Sequence, residues 1–148
     1  MQPLTILLVE DNADDEVLAL RALTRTSIRS NIVVVRDGEE AMDYIFGQGK
    51  YRGRDTRLQP HVTFMDIKLP KLSGLEVLKA IRSDERTRLL PVVVLTSSDE
   101  PADVLEAYRL GANSYIKKPV DFNEFVRQVK LLGEYWLSIN RSPQAILH

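Results

Sequence analysis

The chain has 148 residues, 44% of them hydrophobic and 28% charged, with a formal net charge of -1. This length and composition predict one cored domain, and the near-neutral charge gives no general attraction to nucleic acid or anionic lipid. The absence of cysteine excludes disulfides, thiolate metal sites and cysteine catalysis. No apolar run is long enough to span a membrane and no basic region precedes the first apolar run, so we expect a cytoplasmic protein.

Apolar runs and helical spacing alternate along the chain. The runs predict five strands, at residues 4–9, 31–36, 62–66, 91–97 and 114–116. Helical spacing predicts five helices, at residues 13–26, 39–46, 73–84, 100–111 and 121–139. Such alternation requires right-handed crossovers and a parallel sheet covered on both faces. The sequence therefore predicts a doubly wound α/β fold.

Chemically active side chains follow the predicted strands. In doubly wound folds ligands bind beyond the carboxyl ends of the strands, so these residues form the candidate site. They are Glu10 and Asp11 after the first strand, Asp66 after the third, Thr96 at the end of the fourth and Lys118 after the fifth. A hard divalent cation such as Mg²⁺ would relieve repulsion among the three acids. A carboxylate beside that cation can attack phosphorus and form an aspartyl phosphate.

The motifs LLVEDN, MDIKLPKLSG, VVVLTSS and GANSYIKKP, in this order, resemble the receiver domain of two-component response regulators. The resemblance covers roughly residues 4–138 and implies a single chemotaxis-regulator-like domain over residues 1–148. It implies a flavodoxin-like five-stranded sheet with strand order 2-1-3-4-5, five helices, a tail at residues 140–148 and no output domain. It also implies a signalling phosphoacceptor rather than an enzyme, with its own phosphorylation and dephosphorylation as the only activities.

The resemblance assigns roles by motif. Asp66 matches the phosphoacceptor, and Glu10 and Asp11 match the acidic pair that binds Mg²⁺ or Mn²⁺ together with Asp66. The main-chain carbonyl of Lys68 matches a further metal ligand. Lys68 and Ser98 also flank the expected path of the hydrolytic water, so we expect Lys68 to affect the lifetime of the phosphate without being needed for phosphorylation.

The resemblance also assigns roles to Thr96, Lys118 and Tyr115. Thr96 and Lys118 match the hydroxyl and the ammonium group that contact the phosphoryl group. Thr96 and Tyr115 match a switch pair, in which the threonine moves toward the phosphate and the aromatic ring turns inward. A cis peptide bond between Lys118 and Pro119 is also implied.

Alternatives remain at individual positions. The polar residues Asp11 and Asn12 could simply cap the first helix. No glycine-rich phosphate loop follows the first strand, and Lys68 stands where an aspartyl-phosphate phosphatase would need a second aspartate. The alternative function is a receiver-like binding or dimerisation module without phosphoryl turnover.

The connection at residues 48–60 is rich in basic residues. Its cations surround Tyr51 and are Lys50, Arg52, Arg54 and Arg57. A solvated loop and a role in kinase docking or nucleic-acid binding are both open. Together with LVEDNADDE and the extended last helix, this loop is similar to stand-alone regulators paired with phytochrome-type sensor histidine kinases. That resemblance implies such a kinase as partner and a light-sensing pathway, without direct nucleic-acid or membrane binding.

The last helix predicts an interaction surface. Leu131 and Tyr135 lie off its apolar stripe, and Tyr108 and the tail residues 145–147 could extend the same patch. We expect a homodimer through this surface, and a signal carried by the face of the fourth helix, fifth strand and fifth helix. The alternative is that these apolar residues are scattered surface positions.

Overall fold

The computed structural model describes residues 4–144, and its sheet has five parallel strands in the order β2-β1-β3-β4-β5. The strands are β1 (Leu4–Val9), β2 (Ser30–Val35), β3 (Val62–Met65), β4 (Val92–Thr96) and β5 (Ser114–Lys117). The helices are α1 (Ala13–Thr24), α2 (Gly38–Phe46), α3 (Gly74–Ser83), α4 (Pro101–Arg109) and α5 (Phe122–Glu134). The predicted fold class and strand order are confirmed.

Strand β1 lies between two apolar cores, which explains its nearly continuous apolar sequence. Ile6 and Leu8 point to one face of the sheet and pack in a buried cluster with residues of α1 and α5. Leu7 and Val9 point to the other face, in a cluster with residues of α2, α3 and α4. Burying each such side chain is worth about 1.5–3 kcal/mol. Burial on both faces therefore fixes β1 in the interior of the sheet, with its carboxyl end beside those of β2 and β3.

Polar side chains define where four of the helices begin. The caps are Asn12, Asp37, Ser73 and Asp121, each of which accepts a hydrogen bond from the backbone N–H three residues later. Each cap contributes about 1 kcal/mol to helix stability. Because Asn12 caps α1, Asp11 is not needed for that role. No helix in the described part of the chain is both long and apolar enough to cross a membrane.

The basic connection after α2 folds back onto that helix. It contains a 3₁₀ turn at Gly49–Tyr51. The guanidinium of Arg54 stacks 4.2 Å from the Tyr44 ring centroid and donates to the carbonyls of Tyr44, Ile45 and Leu58. The last carbonyls of a helix lack partners within it. Arg54 therefore supports the end of α2, and this cation of the basic loop has a structural role.

The last helix differs from its predicted form. The α-helical part ends at Glu134, and the chain continues as one π-helical turn, Tyr135–Ile139, closed by a 2.7 Å bond from the N–H of Asn140 to the carbonyl of Tyr135. Trp136 in this turn is buried in the cluster shared with α1. The tail residues 145–147 that were predicted to join an interface lie outside the described residues.

Candidate functional site

Asp66 directly follows β3 and is almost completely buried. Its N–H donates to the carbonyl of Val9 at 3.1 Å, which fixes the residue at the edge of the sheet. Its Oδ1 accepts from the Thr96 hydroxyl at 2.7 Å and from the Lys68 N–H at 3.0 Å. Its Oδ2 accepts from the Lys118 ammonium at 2.8 Å. These donors explain how a buried apolar strand can be followed by a carboxylate.

Two further carboxylates meet Asp66. Glu10, Asp11 and Asp66 each offer an oxygen within 4.8 Å of the others. Burial raises the pKa of Glu10 to about 7, although the hydrogen bond and charge of Lys118 act in the opposite direction. A cation beside Glu10 would favour its ionised form. Hard oxygen ligands at this spacing fit the predicted Mg²⁺ or Mn²⁺.

Lys118 provides positive charge among these acids. Its Nζ lies 2.6 Å from Glu10, 2.8 Å from Asp66 and 2.9 Å from Asp15. Burial lowers the pKa of Lys118, but its hydrogen bonds to Asp66, Glu10 and Asp15 outweigh that effect and raise the pKa well above its ordinary value. The contact with Asp15 was not predicted, because an acid in the first turn of a helix is explained by the helix dipole alone. The helix that contains Asp15 begins just after Glu10 and Asp11, and this position is the sequence feature that could have identified Asp15 as a site residue.

The backbone around Lys118 sets the direction of its side chain. The N–H of Lys118 donates to the carbonyl of Thr96 at 2.7 Å and so continues the pairing of β4 with β5. The preceding Lys117 is exposed, and its Nζ pairs with Asp99 at 3.1 Å. The implied cis bond between Lys118 and Pro119 is wrong for this structure, since the described residues contain no cis peptide bond. The trans form is the lower-energy state of such a bond.

Thr96 donates directly to the Asp66 carboxylate, whereas the Tyr115 hydroxyl donates to the loop after β4. The Thr96 side chain is fully buried, and its hydroxyl already donates to Asp66. Tyr115 on β5 is partly buried, and its hydroxyl donates to the carbonyl of Ser98 at 2.8 Å. Tyr115 is therefore connected to Asp66 through the loop after β4, which begins at the residue following Thr96.

Lys68 divides its contacts between Asp66 and α4. Its N–H donates to Asp66, whereas its Nζ lies 3.3 Å from Oδ2 of Asp103. The same oxygen of Asp103 accepts from the Ser98 hydroxyl at 2.6 Å. Asp103 was not predicted as a site residue, because nothing in its local sequence separates it from an ordinary acid in the first turn of a helix. The metal-binding role of the Lys68 carbonyl stays a prediction.

The predicted interface residues are exposed. Tyr108 on α4, Leu131 on α5 and Tyr135 after it each expose about half of their surface. Ile139, four residues beyond Tyr135, exposes 72% and was not predicted as part of this surface. Leu131, Tyr135 and Ile139 are spaced four residues apart, so they extend the predicted pair into a longer exposed apolar stripe.

Comparison with known proteins adds sequence relationships. Residues 6–130 match the family described as the response regulator receiver domain. The probable methanogenesis regulatory protein FilR2 of Methanothrix harundinacea is 42% identical over 141 residues, covering 95% of this chain and 88% of that protein. The response regulator Rcp1 of Synechocystis sp. is 34% identical over 143 residues, covering 97% and 95%.

Solved structures give the same relationship in three dimensions. The phosphorylated cyanobacterial phytochrome response regulator RcpA aligns with a TM-score of 0.90 and 37% identity, covering 96% of this chain and 99% of that one. The Mn²⁺-bound form of Rcp1 aligns with a TM-score of 0.89 and 33% identity, covering 95% and 99%. The similarity thus extends over nearly the whole of each chain.

Proposed function

Since this chain belongs to the response regulator receiver family, we propose that it is a stand-alone signalling protein whose Asp66 accepts a phosphoryl group from a sensor histidine kinase. The observation that carries the proposal is the surroundings of the Asp66 carboxylate. It lies close to two further acids, and its two oxygens accept hydrogen bonds from the Lys118 ammonium and the Thr96 hydroxyl. Phosphoryl transfer uses cations and donors of this kind to stabilise charge.

The proposed reaction is a substitution at phosphorus. A carboxylate oxygen of Asp66 forms a bond to phosphorus while the bond between phosphorus and the donor histidine nitrogen breaks. The imidazole that leaves takes up a proton, and the product is an aspartyl phosphate. The hydrogen bonds from Lys118 and Thr96 orient the carboxylate before the reaction. Little reorganisation of the chain is then needed in the transition state.

Glu10, Asp11 and Asp66 are the proposed ligands of Mg²⁺ or Mn²⁺, with the carbonyl of Lys68 as a further ligand. When bound, the cation would neutralise charge on the phosphoryl oxygens. The spacing of the three carboxylates supports this assignment, as does the bound Mn²⁺ in the related Rcp1. The chain's own contribution is Lys118, whose charge offsets the mutual repulsion of these acids.

The proposed signal leaves the site through Thr96 and Tyr115. A phosphoryl group on Asp66 would replace the carboxylate oxygen as acceptor for the Thr96 hydroxyl, and so pull on the end of β4. The loop after β4 carries Ser98, whose carbonyl holds the Tyr115 hydroxyl. Movement of this loop would therefore reach β5 and the neighbouring surfaces of α4 and α5.

The proposed output of this change is pairing of two copies of the chain through the stripe of Leu131, Tyr135 and Ile139, with Tyr108 on α4 as a further candidate contact. Exposed apolar side chains along α5 and the π-helical turn that follows it support this assignment. Light scattering over a dilution series, with and without a phosphoryl mimic, tests it. We expect a dimer that Leu131→Lys weakens. A monomer at every concentration under both conditions would contradict the idea.

The proposed kinase partner is phytochrome-type, because RcpA is a phytochrome response regulator of nearly equal length. Direct nucleic-acid binding is not proposed. Two cations of the basic loop already have partners within the chain: Lys50 pairs with Glu40, and Arg54 donates to the backbone carbonyls of Tyr44 and Ile45. The cytoplasmic location stays a prediction.

Incubation with acetyl phosphate and Mg²⁺ tests the central proposal. We expect the wild-type chain to gain the mass of one phosphoryl group, and Asp66→Asn to gain none. Asp99→Asn is the matched control, since Asp99 is an exposed acid of the loop after β4 that contacts Lys117 rather than Asp66. No gain by the wild-type chain from acetyl phosphate or a phosphorylated kinase would instead favour a binding module without turnover.

A further inference from the structure

Asp103 connects three elements beside the phosphoacceptor. It lies in the first turn of α4, and one of its oxygens contacts both the Lys68 ammonium after β3 and the Ser98 hydroxyl after β4. The hydrogen bond from Ser98 and the charge of Lys68 hold the pKa of Asp103 below its ordinary value. The Asp103 carboxylate is thus a negative charge that pairs with Lys68, the residue two positions after Asp66 in the sequence.

The position of Lys68 gives this contact its importance. Its N–H is already bonded to the Asp66 carboxylate, so its side chain starts beside the place where a phosphoryl group would stand. The Nζ nevertheless lies against α4, where it is paired with Asp103. Lys68, Ser98 and Asp103 line an open depression of about 460 Å³, which is roomy enough for water.

We propose that Asp103 is a positioning residue that shortens the lifetime of the aspartyl phosphate by holding the Lys68 side chain on α4, away from the phosphoryl group. This inference rests on the proposed phosphorylation of Asp66. In hydrolysis, the oxygen of water bonds to phosphorus, the bond from phosphorus to the Asp66 oxygen breaks, and inorganic phosphate leaves with the protons of the water. Asp66 is then a free carboxylate again.

Asp103 and the phosphoryl group would compete for the same ammonium group. While Lys68 pairs with Asp103, its side chain does not cover the phosphoryl group, and water can approach phosphorus. When that pairing is lost, the phosphoryl oxygens become the strongest nearby negative charge, and Lys68 moves onto them. Its alkyl chain and ammonium then obstruct the approach of water, and the phosphate survives longer.

Asp103→Asn separates the charge of Asp103 from its hydrogen bond. The asparagine amide oxygen still accepts from the Ser98 hydroxyl, whereas the attraction to Lys68 is lost. Proteins are loaded with acetyl phosphate and Mg²⁺, the donor is removed, and the phosphorylated fraction is followed by intact mass. Partly exposed ion pairs have modest strength, so we expect the half-life to increase by about two- to fivefold.

Two further variants keep the inference falsifiable. In a Lys68→Met background, Asp103→Asn should leave the decay rate unchanged, because no ammonium remains to be released. Asp99→Asn removes a comparable ion pair, between the loop before α4 and Lys117 of β5, and should decay like the wild type. High salt should reduce the difference between Asp103→Asn and the wild type, because 63% of the Lys68 side chain is exposed and its pairing is screened.

The possible outcomes separate this inference from the proposed function. If no variant with Asp66 gains a phosphoryl group, the proposed function itself fails. If Asp103→Asn is phosphorylated and decays as fast as the wild type or faster, only the role of Asp103 is overturned. A longer half-life that persists with Lys68→Met would also overturn it, because the effect would then not pass through Lys68.

Discussion

Replacing Lys118 with methionine should strongly destabilise the metal-free protein. The Lys118 ammonium lies between 2.6 and 2.9 Å from carboxylate oxygens of Glu10, Asp66 and Asp15. Each attraction has a gross value of roughly 6 kcal/mol at an effective dielectric constant of about 20. Burying the ammonium offsets most of this gain, and removing one partner of a buried ion pair typically costs about 3–5 kcal/mol. Methionine keeps the bulk of the side chain but leaves the acids without their cation.

Urea unfolding with a chelator present measures this loss. A destabilisation of about 4 kcal/mol, with a slope near 2 kcal/mol per molar urea, lowers the midpoint by about 2 M. Lys117→Met is the matched control, since Lys117 is the exposed neighbour and should change stability by less than about 0.5 kcal/mol. Mg²⁺ should narrow the gap between Lys118→Met and the wild type, because a cation among the acids replaces the missing charge.

Two results would refute this reasoning. An unchanged urea midpoint for Lys118→Met in chelator would mean that the acids do not depend on Lys118 for neutralisation. An equal stabilisation of both proteins by saturating Mg²⁺ would mean that the metal and Lys118 do not act on the same carboxylates. Adding Asp66→Asn to Lys118→Met removes one negative charge, and the double variant should recover part of the lost stability.

Three further predictions concern stability away from the ammonium group. Thr63→Val should stabilise the protein by about 1 kcal/mol in urea unfolding, because the buried Thr63 hydroxyl has no hydrogen-bond partner among the described residues. Burial lowers the pKa of His61 below 6.5, so the unfolded chain binds a proton more readily there. The wild type should therefore lose stability relative to His61→Gln as the pH falls below 6.5, and the difference should level off below the folded-state pKa. Thermal melts of both proteins from pH 5 to 8 measure this difference. Melting temperatures that change in parallel over that range would contradict the reasoning. Arg54→Met should cost about 2 kcal/mol, because its charged hydrogen bonds to three carbonyls are lost, and amide exchange at the end of α2 should increase.

The sequence predicted the features that follow from a local pattern of residues, such as the bounds of a strand and the side chains at its end. The largely apolar run Leu4–Val9 predicted β1 with the bounds that the structure has, because a strand buried on both faces is nearly continuous in apolar residues. The carboxylates Glu10, Asp11 and Asp66 were predicted to meet because parallel strands end at the same edge of a sheet, and their oxygens do so.

The sequence was less informative where a contact joins distant elements. Asp15 reaches Lys118 across 103 positions, and Asp103 joins the loops after β3 and β4. Both residues lie in first helical turns, where acids are favoured for the helix dipole alone, so their local pattern cannot separate the two roles. Arg54 was similarly predicted only as one cation of a basic loop, since the carbonyls that it contacts belong to α2 and to the turn beyond it.

The bond between Thr96 and Asp66 bears on the energetics of signalling. Because the Thr96 hydroxyl already donates to the unmodified carboxylate, phosphorylation would exchange one acceptor of this hydroxyl for another rather than provide its first partner. Phosphorylation could then shift an equilibrium between two arrangements of the loop after β4 only by the difference in its interaction energy between the two states. A shift from 1:99 to 99:1 needs about 5.5 kcal/mol of such difference. Substitutions that bias this equilibrium, such as changes at Tyr115, should alter the basal output of the protein as well as its response to the kinase.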